Sequence, residues 1–404
     1  MSDPTTQTIK KRRVFYIPGY DPFPPRRYRE LYRKEGAAQG AISGYHVELS
    51  AKETSGQAFG WHVQGRMDGL VTETDIEVLV WSDIVQDSMQ QGILATYGLL
   101  IRTAWTYIST GALFRLMRLR KGPVIAALYP VVFLLVQLLI ALLAAFGIYR
   151  LIGIWLPWWA GLAGFAIVPV LLGWFKRQDG RFFAYYLMHD YAYSASTRGS
   201  NPPELEARIS EFVALISGAM SEPDVDEVLV VGHSSGAHLA VSVLADMIDE
   251  GIAPGGPKLA FLSLGQVVPM VSFLPEAKRL RRDLQSLSQS DALFWLDVTA
   301  PGDGCAFALC DPVSVSGVAP DAKRWPIVIS AAFTQTLSRA RWQEVRWRFF
   351  RLHFQYLCAF DRPGDYDYFQ ITAGPKALAD RFAGRRPSKS RIEAAINRYT
   401  EVAS

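Results

Sequence analysis

Val228-Leu-Val-Val-Gly232-His-Ser234-Ser-Gly236 is the stretch whose reading decides the fold. Its four leading residues are apolar and mostly β-branched, the composition of a short buried strand. The run ends in a serine set between two glycines, and Ala237-His-Leu-Ala-Val-Ser-Val-Leu-Ala245 then continues as an apolar helix. Where a strand bends sharply into a helix there is no room beside the bend for Cβ branches, so small residues belong at Gly232 and Gly236. Gly-x-Ser-x-Gly is common by chance, and its position between strand and helix is what gives it weight. A plain strand-turn-helix without chemistry is the competing reading.

Working outward, further apolar runs alternate with helical segments. Arg13 to Pro18 is a short strand ending at Gly19, Tyr28 to Ile42 is helix-like, and Tyr45 to Leu49, Trp61 to Arg66 and Asp75 to Trp81 read as strands. Beyond residue 181, Pro203 to Met220 opens like a helix, with proline followed by acid. Glu227 to Val231, Lys258 to Leu264 and Leu293 to Val298 are apolar strands, and Pro375 to Phe382 and Ser388 to Tyr399 read as closing helices. Continuous apolar strands alternating with helices predict an α/β fold, a mostly parallel sheet covered on both faces.

Between the two soluble stretches lies a different composition. Gly122 to Tyr149 and Leu151 to Phe175 carry no charged residue, and only Arg150 separates them. About 20 apolar residues suffice to cross the hydrocarbon core as a helix, and both runs reach that length. Tyr149, Trp155, Trp158, Trp159 and Trp174 stand where a bilayer interface favours aromatics. Arg115, Arg118, Arg120 and Lys121 precede the first run, and Lys176, Arg177 and Arg181 follow the second, so the positive-inside rule places both flanks in the cytoplasm. The expectation is a transmembrane hairpin, with a re-entrant or buried soluble hairpin as the alternatives. Gly92 to Leu119, apolar but interrupted by Arg102, fits an interfacial amphipathic helix or a core helix of the soluble domain. The expected organisation is 1–91 and 182–404 as two parts of one catalytic-type domain, with 92–181 as a membrane insertion.

Composition narrows the classes. With 404 residues, 50% apolar and 20% charged, the chain can bury a sizeable core, which argues against disorder. A net charge of +4 from 42 basic and 38 acidic residues gives no global field for nucleic acid. Cys305, Cys310 and Cys358 are odd in number and lack C-x-x-C spacing, which reads as free thiols in a reducing compartment. The polar opening of the chain reads as no secretory signal. No metal-ligand spacing, phosphate-binding glycine loop or dinucleotide fingerprint stands out, so no cofactor and no metal are expected.

At Gly232-His-Ser234-Ser-Gly236 and the helix after it, the chain resembles the α/β-hydrolase superfamily, with the membrane hairpin as an insertion. In that family the serine, the acid and the histidine follow in that order along the chain. Of the six histidines, His46, His62 and His189 precede the serine, His233 adjoins it, and His238 sits on the following helix. The resemblance therefore implies Ser234 as nucleophile and His353 as general base. It implies Asp303 as acid, in the turn after the Leu293 to Val298 strand, with Asp311 as rival and Asp297 inside the strand. It also implies an oxyanion hole from the backbone N–H groups of Ser235 and Tyr20, the latter in Ile17-Pro18-Gly19-Tyr20-Asp21-Pro22. The His-Gly-Gly-Gly run of many lipases is missing. The function so implied is a membrane-anchored serine hydrolase cleaving acyl esters of lipid-like substrates. An anchored esterase or thioesterase for soluble substrates, and a non-catalytic hydrolase-shaped scaffold, are the other readings.

Overall fold

The computed structural model describes residues 8–21, 24–52, 58–81, 83–84, 92–252 and 255–403. Pro22 and the polar opening residues 1–7, invoked in the sequence reading, lie outside the described residues. Eight strands form one sheet: β1 (Lys11–Ile17), β2 (His46–Ser50), β3 (Gly60–Met67), β4 (Leu70–Val78), β5 (Glu227–His233), β6 (Lys258–Leu264), β7 (Leu293–Thr299) and β8 (Ile327–Ser330). Their order across the sheet is β2-β3-β4-β1-β5-β6-β7-β8. The pairs from β4 through β1 to β8 are parallel, and β2–β3 and β3–β4 are antiparallel. Asp68 and Gly69, both with positive φ, make the two-residue turn that closes the β3–β4 hairpin.

The expected mostly parallel sheet is therefore present, with helices on both faces. On one face Val228 and Val230 of β5 pack with Phe261, Trp295 and side chains of α7 (Pro203–Met220), α8 (Gly236–Asp249) and α9 (Lys278–Gln289). On the other, Leu229 and Val231 pack with Val14, Tyr16, Tyr356, Phe369 and residues of α1 (Arg26–Ser43). The odd–even split along β5 is the pleat itself, and because both sets are buried the strand reads as a continuous apolar run. From β1 the chain leaves toward β4, and from β5 toward β6. The carboxyl ends of β1 and β5 thus border a switch point, where open α/β sheets leave a crevice.

The insertion is helical. Gly92 to Leu119 is two helices, α2 (Ile93–Ser109) and α3 (Ala112–Leu119), broken where Gly111 takes φ +70°. α4 (Lys121–Ile152) runs 32 residues, and the stretch Ala160–Arg177 adds a 3-10 segment and α5 (Ile167–Arg177). By length and composition both are long and apolar enough to cross a membrane. At 1.5 Å per residue α4 spans about 48 Å, longer than a ~30 Å hydrocarbon core. Its first turns stay with the sheet domain, Val124 being buried beside Leu116, Phe307 and Cys310. α2 buries Leu100 and Tyr107 with three threonines and leaves large apolar side chains on its outer face. Thr96, Thr103 and Thr106 face the protein, while Leu94, Ile101, Trp105 and Ile108 are exposed. α6 (Ala184–Ser196) packs against α2 and α4 and returns the chain to the sheet.

Two expectations are corrected at the C-terminus. Pro375 to Phe382 contains only the helical turn Leu378–Arg381, and Ser388 to Tyr399 has no helix. The latter instead follows the sheet domain as irregular chain, with Ile392 exchanging backbone hydrogen bonds with Leu309 and Asp311 and Asn397 Nδ2 donating to three carbonyls. Local propensity for helix gave way to these tertiary contacts. β4 begins at Leu70, five residues before the stretch expected from Asp75, and stops at Val78.

Candidate active site

Ser234 stands at the carboxyl end of β5 with φ +57°, a left-handed backbone that a non-glycine residue adopts only when its surroundings impose it. The surroundings are specific. A Cβ on Gly232 would lie 2.7 Å from the Ala237 Cα, and one on Gly236 would lie 2.1 Å from the Ile17 carbonyl oxygen and 2.5 Å from that of Pro18. Strand, turn and helix are thus pressed together, and the elbow is pressed onto the end of β1. Ser234 N–H donates to the Leu264 carbonyl at 2.9 Å, tying the bend to β6. The serine side chain is half-buried at the crevice.

His353 and Asp303 meet, although 50 residues apart. Their Nδ1 and Oδ2 are 2.7 Å apart, with the Asp303 side chain fully buried. The same oxygen accepts from the Tyr356 hydroxyl at 3.1 Å, and Oδ1 accepts from the Cys305 N–H at 2.8 Å. Burial raises the Asp303 pKa, but the His353 charge and these hydrogen bonds outweigh it and hold the carboxyl below its ordinary range. An ionised acid on Nδ1 leaves Nε2 as the nitrogen available for proton transfer. The rival acids are employed elsewhere. Asp311 caps the helical turn Pro312–Val315 and pairs with Lys323, and Asp297 on β7 accepts from Ser263 at 2.6 Å.

His353 is packed against the elbow from both sides. Its ring lies 4.9 Å from that of His233, the residue before Ser234, and its Cε1 is 3.1 Å from where a Gly265 Cβ would sit, one residue beyond β6. Among the described residues Ser234 Oγ makes no hydrogen bond, so the acid–histidine contact is closed and a serine–histidine contact is open. Unliganded sites commonly tighten this contact only with substrate present.

The loop after β1 reaches the serine as well. A Cβ on Gly19 would lie 2.9 Å from Ser234 Cβ and 3.3 Å from Ser234 Oγ, which brings the loop after β1 against Ser234. Its course is held at two carbonyls. Trp81 Nε1 donates to Pro18 at 3.0 Å, and the Tyr186 hydroxyl of α6 donates to Tyr20. The Tyr20 ring packs among Trp81, Tyr186 and Tyr193. Ser235 opens α8 as its N-cap, at the end of the helix where backbone N–H groups gather.

Three residues of this site escaped the sequence reading. His233 Nε2 stands 3.1 Å from the His353 carbonyl oxygen, and burial together with the His353 charge pushes its pKa down to about 3. It is therefore a neutral donor bracing the backbone at His353. Tyr356 clamps Asp303 and also accepts the Ala300 N–H at 3.0 Å. Its spacing of three from His353 was the available signal. Asp190 on α6 is close enough for the His353 charge to act on it, yet burial holds its pKa at about 7.

Donor atoms of Asp303, Cys305 and His353 also converge within 4.8 Å, the one group among the described residues with the makings of a metal site. Both carboxylate oxygens of Asp303 are already engaged, and burial raises the Cys305 thiol well above its ordinary range, away from the thiolate a metal requires. The three thus fit a hydrogen-bonded acid–base pair better than a metal. No family model, no curated protein and no solved structure matches this chain.

Proposed function

We propose that this chain is a serine hydrolase of the α/β-hydrolase type, anchored in a membrane by the α4–α5 hairpin, that cleaves acyl esters of lipids through an acyl-enzyme. The observation that carries the reading is the conjunction at one end of the sheet. A serine held at φ +57° between two tightly packed glycines stands at the switch point of the sheet, with a buried His353–Asp303 pair packed against its elbow. His353 Nε2 takes the Ser234 proton as Oγ adds to the ester carbonyl, and Asp303 holds the ring and the charge it acquires. The N–H groups of Ser235 and Tyr20 receive the oxyanion, each worth on the order of 3 kcal/mol of transition-state stabilisation. The leaving alcohol takes the proton back, and water, activated by the same imidazole, releases the acid and restores the serine.

The lipid preference rests on placement. The loop after β1 is pinned at Tyr20 by Tyr186 of α6, the helix that follows the apolar hairpin, and by the positive-inside rule the two basic flanks of that hairpin favour a cytoplasmic sheet domain. The experiment is labelling of the folded protein with a fluorophosphonate, followed by peptide mapping. The adduct is expected on Ser234 and absent in Ser234→Ala. An unlabelled native protein would leave a hydrolase-shaped scaffold. Equal turnover of short soluble esters and of vesicle lipids would overturn the lipid assignment while leaving the esterase.

A further inference from the structure

The segment that delivers His353, Arg339 to His353, carries features the catalytic reading does not use. Trp347 is 71% exposed, Phe349 51% and Phe350 39%, three large apolar rings turned to the outside within four residues. Five arginines (Arg339, Arg341, Arg346, Arg348 and Arg351) accompany one acid, Glu344. Arg346 lies over the Trp347 ring at 5.4 Å, and the Arg348 side chain is 64% exposed. Rings of this size left open on a soluble face are costly, and aromatics interleaved with arginines match one surface, the headgroup boundary of an anionic bilayer.

The position of the patch supports that occupant. Phe350 packs on Phe183 at 5.4 Å, six residues beyond the end of α5, and a Cβ on Gly304 would lie 3.4 Å from the Phe349 ring. Gly304 in turn lies against Gly122, in the first turn of α4. The patch thus adjoins both roots of the apolar hairpin. Once that hairpin is inserted, docking of the patch is an intramolecular event at high effective concentration.

We propose that Trp347, Phe349 and Phe350 insert into the headgroup boundary of the same bilayer while Arg346 and Arg348 bind its lipid phosphates. This surface contact would hold His353 and the mouth of the crevice against the lipid. The inference rests on the hairpin being membrane-inserted, and its test separates the two. Full-length protein is reconstituted in nanodiscs of phosphatidylcholine alone, or mixed with phosphatidylglycerol, each with or without lipids brominated high in the acyl chain. Tryptophan quenching is compared between the native chain and Trp347→Phe, whose difference isolates Trp347. A chain with Trp155, Trp158 and Trp159 changed to Phe isolates the hairpin tip in the same way.

The expected result is bromine quenching of the Trp347 component, stronger with phosphatidylglycerol. In the Arg346→Gln/Arg348→Gln chain the docked-to-free ratio should fall about fivefold per arginine removed, the equivalent of about 1 kcal/mol each. Fluorophosphonate labelling of these variants, which tests folding with a soluble probe, should match the native rate. A hairpin tip that is quenched while the Trp347 component stays open to aqueous iodide overturns this proposal alone. Loss of bromine quenching at both places overturns it together with the anchor. A detergent-stable dimer abolished by Trp347→Ala/Phe349→Ala would assign the patch to a second copy and overturn it as well.

Discussion

Replacing Gly19 by alanine tests how the loop after β1 meets Ser234. The added Cβ would fall 2.9 Å from Ser234 Cβ, 3.3 Å from Ser234 Oγ and 3.4 Å from the His233 carbonyl oxygen. None of these neighbours is the end of a flexible chain, and the elbow that carries them is held by Gly232 and Gly236, so the methyl group cannot be absorbed without movement. Gly19 is not among the residues with positive φ, so alanine suits its backbone and the strain is steric alone. Overpacking of this kind costs about 1–3 kcal/mol, partly offset by the ~0.4–1 kcal/mol that Gly→Ala gains through the unfolded chain. Stability should therefore fall by a few degrees in Tm at most. The effect on chemistry should be larger, because the methyl presses on Ser234 Oγ at 3.3 Å and, in the proposed mechanism, shifts the adjoining Tyr20 N–H that would receive the oxyanion. Losing one such donor costs about 10²–10³-fold in kcat. The assay is the second-order rate of fluorophosphonate labelling beside a thermal melt. Gly65→Ala serves as comparison, since its Cβ would strike the Ala373 carbonyl at 1.9 Å on β3, away from the crevice. That variant should lose Tm while its folded fraction labels at the native rate. Native-rate labelling of Gly19→Ala at an unchanged Tm would refute the placement of this loop against the serine.

The acid–histidine contact makes a graded expectation. Asp303→Asn keeps the shape but no longer fixes the His353 tautomer or balances its charge, and ester turnover should fall about 10⁴-fold, the scale known for serine-protease triads. Tyr356→Phe removes only one of the hydrogen bonds to Asp303 and should cost about tenfold, the scale of one hydrogen bond to a charged group. Equal losses in the two would mean that Asp303 is not what orients the base. A second test concerns pH. Burial pushes the Asp297 pKa up to about 8, whereas in the unfolded chain it is near 3.9. Between those values the native state keeps a proton that the unfolded state has released, so its contribution to stability is full below about pH 4 and declines as pH rises toward 8. Asp297→Asn escapes this decline, and its Tm relative to the native protein should rise from pH 5 to pH 8. A pH-independent difference would show that Asp297 titrates normally in the fold. Finally, Gly236→Ala, whose Cβ would press on two carbonyls of the β1 end, should reduce folded yield and labelling together. Intact labelling there would contradict the tight elbow.

Much of this was legible in the sequence, and for local reasons. The run from Val228 to Ala245 needs only neighbouring residues to specify a buried strand, a bend flanked by glycines and an apolar helix, and β5, Ser234 and α8 lie where it predicts. The two charge-free stretches likewise carry their length and hydropathy in the chain itself, although α4 extends to Ile152 and the second apolar helix begins only at Ala160. In the sequence, chain order pointed to His353, but Asp303, Asp311 and Asp297 all lie between Ser234 and His353, and Asp303 was preferred only for its place in the turn after the Leu293 to Val298 strand. The structure separates the three by what each hydrogen-bonds: His353, Lys323 and Ser263.

Other features had no local signal. Ser388 to Tyr399 has helix-forming composition, and its conformation is set by carbonyls and N–H groups of the sheet domain that are distant in sequence. The bracing of His353 by His233 depends on a loop 120 residues away folding over the elbow. The sequence by itself determined strand, bend, helix and the apolar hairpin, because those follow from backbone sterics and hydrophobic periodicity within a few residues. The tertiary structure alone decided which carboxylate meets the imidazole, which tyrosines hold the loops, and that Trp347, Phe349 and Phe350 share one exposed face by the hairpin roots. Those facts depend on packing between segments far apart in the chain.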